Sequence, residues 1–259
     1  VTVDNGISAF DEVAYANSLG IDTVITDHHQ PPELLPHAVA IVDPHRADCK
    51  SSFKILAGVG VVFKLVCALE GSTADVEFIL ENYSDLILIG TVGDVVPLTG
   101  ENRYLVRQGL KYIKNTNNFG IQEILSLAKL TEKPINATSI AFNVVPRINA
   151  SGRLSFSKKL VQLLTSENQL EVQNIAAQVE DDNVKRKEIE NEILLQAEEL
   201  LKNTPERTYQ RVLIVEGKDW HPGVIGIVAA RLLERYGKPT IVISKMGDVA
   251  RGSCRSIEG

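Results

Sequence analysis

Three short apolar runs fall within the first 42 residues: Val1-Thr2-Val3, Asp22-Thr23-Val24-Ile25-Thr26 and Ala38-Val39-Ala40-Ile41-Val42. A helical pattern separates the first two. Strand-length runs alternating with helix restrict this part of the chain to βαβ units around a mostly parallel sheet. The intervening helix is expected to take Ser8 as its cap, to carry Phe10, Val13, Ala14 and Ala16, and to end at Gly20. From Phe53 to Ala128 the pattern is mainly helical, with pieces at 53–69, 84–91, 101–113 and 120–128.

A capping box at Ser166-Glu167-Asn168-Gln169 is expected to open a long helix. Its apolar positions are Val172, Ile175, Val179, Ile189, Ile193, Ala197 and Leu200, and the seam is broken by a polar stretch at 180–188. A helix apolar at both ends and polar in the middle suits a strut between domains, with its midsection in a cleft. Beyond Pro205 the alternation returns, with strands at 212–215 and 240–243 around a helix at 222–236. The expected fold class is therefore α/β. A parallel-sheet domain at 1–165 is joined by a connecting helix at 166–203 to a smaller α/β domain at 204–259.

Composition narrows the function classes. Lys and Arg number 27 against 33 Asp and Glu, so net charge alone does not announce a nucleic-acid binder. The 3 cysteines are far apart and lack CxxC spacing, which argues for a reducing compartment and against a disulfide framework or zinc site. The longest apolar run, 55–63, is too short to span a bilayer. With no targeting segment in view, the expected location is cytoplasmic. Met246 is the sole methionine, so the chain is expected to be the core of a longer protein.

The chemistry concentrates where apolar segments end. Asp4 follows the first strand, Asp27-His28-His29 follow the second, and Asp94 stands in Gly93-Asp94-Val95-Val96-Pro97 at the end of an apolar helix. Ligands bind at the carboxyl ends of strands in an open parallel sheet, so Asp4 and Asp27-His28-His29 are expected to point into one pocket. A lone Asp after a strand is usually a turn or cap residue. Adjacent histidines serve poorly as core filler, and carboxylates with imidazole suit Mn²⁺ or Mg²⁺.

These segments resemble a known family. Val3-Asp4-Asn5-Gly6, Asp27-His28-His29 and Gly93-Asp94-Val95-Val96-Pro97-Leu98 are similar to motifs of the DHH phosphoesterase superfamily. Asp43-Pro44-His45-Arg46, the stretch 53–61, Arg147-Ile148-Asn149-Ala150-Ser151-Gly152-Arg153-Leu154, Asn183…Arg186 and the stretch 220–229 resemble its RecJ family of single-strand-specific exonucleases. The resemblance implies a catalytic set of Asp4, Asp27, His28, His29 and Asp94, with Asp4, His28 and Asp94 as ligands of Mn²⁺ or Mg²⁺ in a two-metal site. Gly252-Ser253-Cys254-Arg255-Ser256 resembles the Gly-Ser-Gly-Arg-Ser signature of the DHH-associated C-terminal domain, whose Ser and Arg hold phosphate. Gly252, Ser253, Arg255 and Ser256 are therefore expected to bind substrate, together with Asn149 and Arg153 in a turn after Pro146, Asn183, Arg186 and His221.

Two departures stand out. Cys254 occupies a position where the family usually has Gly, and its Cβ is expected to restrict approach to the phosphate. The first family motif, which contributes two aspartates, would lie upstream of Val1, so the chain is expected to bind metal poorly and to be impaired alone. The implied activity is 5′→3′ hydrolysis of single-stranded DNA in repair and recombination, with repair or replication proteins as possible partners and the oligomeric state left open. Two other readings stay open: a DHH phosphodiesterase for short oligonucleotides or cyclic dinucleotides, and a non-catalytic DHH scaffold.

Overall fold

The structure, a computed structural model, describes residues 1–71, 75–154 and 158–257. Its contacts divide the chain into two compact units, Val1–Val145 and Pro146–Gly259. The division falls some way before residue 165, the expected domain boundary, so residues 146–165 cluster with the long helix.

The first unit opens with three strands, β1 (Thr2–Val3), β2 (Val24–Thr26) and β3 (Ala40–Val42), paired in parallel in the order β1-β2-β3. Ile25, wholly buried, sits at the centre of the register, opposite Thr2 on one side and Ile41 on the other. The ladder runs on past the strands: Asp4 N–H donates to the Thr26 carbonyl and Asp27 N–H to the Val42 carbonyl, both at 3.0 Å. Because all three strands run the same way, Asp4, Asp27 and Asp43 emerge in a row at one edge of the sheet.

Helix α1 (Phe10–Ser18) joins β1 to β2. It starts later than expected: Ala9, not Ser8, occupies the cap position, and no side chain caps the helix. The preceding turn is committed elsewhere, since Gly6 has φ +110° and Ile7 N–H is held by the Asp27 carboxylate. Helices α2 (Gly58–Glu70), α3 (Val76–Gly93), α4 (Gly100–Tyr112) and α5 (Phe119–Leu127) follow. Leu56, Val61, Phe63, Ile79, Leu80, Ile87 and Leu105 form one apolar core among α2, α3 and α4. Burying side chains of this size stabilises the unit by roughly 1.5–3 kcal/mol each.

A short helix, α6 (Ala137–Ser139), runs through a π-helical turn at Ile140–Val144 into α7 (Val145–Leu154). Pro146 has no N–H to donate back along the helix, and the wider turn directly before it accommodates that missing bond. The segment expected to form a turn after Pro146 is thus helical. Helix α8 (Lys158–Thr165) precedes α9 (Gln169–Asn203), the long helix of the second unit. Its cap is Asn168, whose side chain accepts from the N–H groups of Leu170 and Glu171. Ser166, the expected cap, spends its hydroxyl on the Glu171 carboxylate.

The second unit carries β4 (Leu213–Lys218), helix α10 (Ile225–Tyr236), β5 (Thr240–Met246) and β6 (Val249–Arg255). Strands β4 and β5 are parallel, and β6 returns antiparallel to β5. Ile193, Ala197 and Leu201 of α9 pack into one core with Leu213, Val215, Trp220, Val228, Leu232 and Val242.

Gly109 marks a close approach of α4 to α3. A Cβ there would lie 2.3 Å from the Ser84 carbonyl oxygen and 2.4 Å from Leu88 Cβ. Alanine improves helix propensity by about 1 kcal/mol, yet a backbone carbonyl in a packed helix does not yield. Gly109→Ala is expected to lower stability by about 1–3 kcal/mol net, read as a lower urea midpoint at unchanged slope.

Candidate functional site

Two residues in left-handed backbone conformation flank the chemistry of the first unit, Asp4 at φ +60° and Val95 at φ +61°. Asp tolerates this region better than most residues, whereas a β-branched Val there is a genuine outlier. Such conformations persist only where the surroundings over-determine them. Here Asp4 ends β1, while Asp94 caps the C-terminus of α3 immediately before Val95.

His28 lies between these two carboxylates. Its Nε2 is 2.9 Å from Asp4 Oδ1 and 3.4 Å from Asp94 Oδ2, and it is buried without a well-aligned hydrogen bond to either. An imidazole nitrogen and two carboxylate oxygens that approach without bonding one another suit donors aimed at a common cation. One donor atom each from Asp4, His28 and His29 lies within 4.8 Å of the others. The geometry therefore adds His29 to the expected ligands and keeps Asp94 beside His28. Burial pushes the Asp94 carboxyl above its ordinary value; His28 opposes that shift and the Asp4 charge reinforces it. A bound cation would relieve this crowding of negative charge, so the residues fit Mn²⁺ or Mg²⁺, hard ions that take oxygen and imidazole ligands.

Asp27 has a different task. Its side chain is 1% exposed, and Oδ2 accepts the Ile7 N–H at 2.9 Å. Oδ1 accepts the amide of His28 at 2.8 Å and lies 2.7 Å from His29 Nδ1. Burial pushes this carboxyl up, but the hydrogen bonds from Ile7, His29 and His28 together outweigh it and hold the group below its ordinary value. The same bond to Asp27 raises the His29 imidazole. Asp43, one strand further, is buried, with Oδ1 accepting the His45 amide at 2.7 Å; burial raises its carboxyl. A cavity of about 530 Å³ adjoins it, lined by Ile41, Asp43, Leu56, Lys64 and Glu101 among others, and contains none of Asp4, His28 or Asp94.

The remaining expected residues lie in the second unit. Ser253 and Arg255 stand on β6 beside the start of α10: a Cβ at Gly226 would come 2.9 Å from Ser253 Oγ and 3.3 Å from Arg255 Nη2. Gly252 shares the strand, pairing with Ile243. Ser256 follows it, its hydroxyl donating to the Ile257 carbonyl. Cys254 is exposed, and its carbonyl accepts from Arg255 Nη1 at 2.7 Å. His221 accepts the Gly223 amide on Nδ1 at 3.1 Å, closing the turn that leads into α10.

Arg153 donates to the Gly223 carbonyl at 3.0 Å. Burial pushes its guanidinium down, and the nearby charges of Arg186 and Arg255 push it further. This mutual repulsion of like charges marks a place that favours an anion, beside a helix N-terminus that favours one too. Asn149, on α7, is exposed.

Asn183 and Arg186 are buried on α9. Arg186 bonds Asn183 Oδ1 at 3.0 Å and pairs with Glu190, whose other oxygen takes Arg231 Nε at 2.6 Å. Two further groups of the polar stretch are partnered from α7, Glu180 by Arg147 and Asp182 by Ser151. Sequence reading assigned no role to Glu190 or to Gly58. The spacing Asn183-Arg186-Glu190 along one helix face was the signal for the first; nothing local signals the second.

Residues 1–91 match the DHH family, N-terminal domain, and residues 209–259 match the DHHA1 domain. The chain is 39% identical, over its full length, to the single-stranded-DNA-specific exonuclease RecJ of Bacillus subtilis and to that of Escherichia coli. It covers 32% and 47% of those proteins, so it spans about a third to a half of their length. A crystal structure of RecJ from Thermus thermophilus in complex with Mn²⁺ superposes with a TM-score of 0.82 at 32% identity, covering 99% of this chain and 37% of that one. A structure of exonuclease RecJ bound to manganese gives 0.81 at 31%, covering 99% of this chain and 62% of that one. The chain carries a DHH family N-terminal domain and a DHHA1 domain and is a homologue of RecJ throughout its own length.

Proposed function

We propose that this chain forms the phosphodiester-hydrolysing part of a single-strand-specific DNA exonuclease that acts 5′→3′ in repair and recombination. The observation that carries the proposal is His28 Nε2, buried and set between the oxygens of Asp4 and Asp94. In this reading Asp4, His28 and Asp94 hold Mn²⁺ or Mg²⁺, with His29 close enough to join them. Divalent cations bound there supply the Lewis acidity that phosphodiester hydrolysis requires near neutral pH.

The chain's own residues do the rest. Asp27 fixes the backbone at His28 and His29 and orients the His29 ring through Nδ1, so that Nε2 is the ring nitrogen outside that bond. Arg255 and Ser253, with Arg153 and the start of α10, take the terminal phosphate of the strand, for which the planar guanidinium fork is suited. Asn149, Asn183, Arg186, His221, Gly252 and Ser256 complete the proposed substrate set; the first contacts the strand from an exposed face, and the buried Arg186 acts by charge. Aromatic residues make up only 5% of the chain, so recognition rests on backbone and end rather than on stacked bases. Among the described residues no helix is long and apolar enough to cross a membrane. The proposed setting is the cytoplasm, with repair or replication proteins as partners.

In the protein that contains this chain, His28→Ala and Asp94→Ala are each expected to weaken Mn²⁺ binding by about 100-fold or more in titration calorimetry and to abolish release of nucleotides from a 5′-ended single strand. Unaltered Mn²⁺ binding would exclude the ligand assignment, and a wild type that binds Mn²⁺ without cleaving would favour a scaffold. Arg255→Ala is expected to raise KM for a 5′-phosphorylated strand by roughly 10–100-fold, with a smaller effect on kcat; a changed kcat at constant KM would count against phosphate binding.

Asp27 makes a prediction in pH. Its carboxyl is lowered from 3.8 in the folded protein, so its stabilisation is present above 3.8 and is lost as pH falls through the folded value. His29 is raised from 6.5, so its share is present below 6.5 and is lost as pH rises through the folded value. The stability gap between wild type and Asp27→Asn, followed by thermal unfolding in EDTA, is therefore expected to be widest between these two values. A gap that widened steadily below pH 3.8 would contradict the assignment.

A further inference from the structure

We propose that Gly58 is a positioning residue for the cation site, because only a residue without a side chain at the start of α2 leaves room for the Asp4 carboxylate to reach His28. The inference rests on the metal reading above. A Cβ built on Gly58 would lie 2.3 Å from Asp4 Oδ1, 2.7 Å from its Cγ and 2.8 Å from its Cβ. These separations are far inside van der Waals contact.

Backbone conformation does not explain the glycine. Gly58 is the first residue of a 13-residue helix and is absent from the positive-φ positions. Alanine is intrinsically the better helix former at such a site. What excludes it is the neighbouring carboxylate, and neither backbone is free to retreat. Asp4 is fixed in the left-handed region, with its N–H on the Thr26 carbonyl at 3.0 Å. The start of α2 is held by Gly60 N–H and Val61 N–H, both donating to the Ala57 carbonyl, and by the packing of Leu56, Val61 and Phe63 in the core.

A methyl group at position 58 must therefore turn the Asp4 side chain aside and carry Oδ1 away from His28 Nε2, now 2.9 Å distant. Gly60 supplies a contrast within the same helix. The three atoms nearest a Cβ there all belong to the Leu56 side chain, the closest being the movable Cδ2 at 3.0 Å.

The test compares wild type, Gly58→Ala, Gly60→Ala, Asp4→Ala and the Gly58→Ala/Asp4→Ala double variant of the protein that contains this chain. Each is titrated with Mn²⁺ in a calorimeter and unfolded thermally in EDTA. Gly58→Ala is expected to weaken Mn²⁺ binding by about 10-fold or more, as when a residue that orients a ligand is lost, and Gly60→Ala to change it by less than about 2-fold. In EDTA, Gly58→Ala is expected to lower the unfolding temperature of the wild type but not of Asp4→Ala, where the clashing group is gone. Wild-type Mn²⁺ affinity in Gly58→Ala would overturn the proposal. An equal loss of unfolding temperature in both backgrounds would overturn it as well, since the fault would then lie elsewhere in α2. A wild type that takes up no Mn²⁺ would overturn the metal reading instead, and the unfolding comparison would still judge the contact between Gly58 and Asp4.

Discussion

A buried carboxylate tolerates its charge only if donors meet its lone pairs, and Asp27 satisfies that condition with groups from two different loops. The Ile7 amide comes from the turn after β1, and the His28 and His29 amides with the His29 ring come from the turn after β2. The Asp27 amide is meanwhile fixed to β3 through the Val42 carbonyl. One residue, through its carboxylate and its amide, thus ties three strand ends together. The backbone at His28, whose ring nitrogen meets Asp4 and Asp94, is held by that tie.

The second unit meets a similar problem in the middle of its long helix. Glu190 is buried and engages both Arg186 and Arg231, while Asn183 holds the far side of the Arg186 fork. Desolvation offsets most of what such a triad gains in Coulomb energy, so its contribution is to geometry more than to net stability. It keeps a cation on one face of α9, close enough to Arg153 for the two to repel. Ser253 and Arg255 close the same neighbourhood from β6, in space that Gly226 leaves open.

The strands and the long helix were legible because their signals are periodic and repeated. Val24, Ile25, Ile41 and Val42 are β-branched and favour strand, and the apolar positions of α9 recur on both sides of its polar stretch along a helix of 35 residues. Caps were less legible, because a cap is one hydrogen bond for which neighbours compete. Ser8 lost that position to the geometry of Gly6 and Ile7, and Ser166 was drawn to Glu171 while Asn168 took the helix end. The segment at 147–154 reads locally as a turn after a proline. It is helical because Arg147 and Ser151 find Glu180 and Asp182 on α9, partners some 30 positions away that no local window contains. Strand β6 escaped notice for the same reason: Val249–Arg255 is mostly exposed, and its structure comes from pairing with β5.

By itself the sequence determined which residue types could do chemistry and roughly where. Carboxylates and histidines that end strands in a parallel sheet share an edge, because parallel pairing brings all carboxyl ends to one side. Tertiary structure decided which of those groups meet, since distances among residues 4, 28 and 94 depend on register, on a left-handed backbone at Asp4 and on where α3 ends. It also turned Asp27, a neighbour of His28 in the chain, onto the Ile7 and His28 amides and the His29 ring. And it gave a reason for Gly58, whose missing Cβ is invisible to any periodic pattern because it matters only to a side chain 54 residues away.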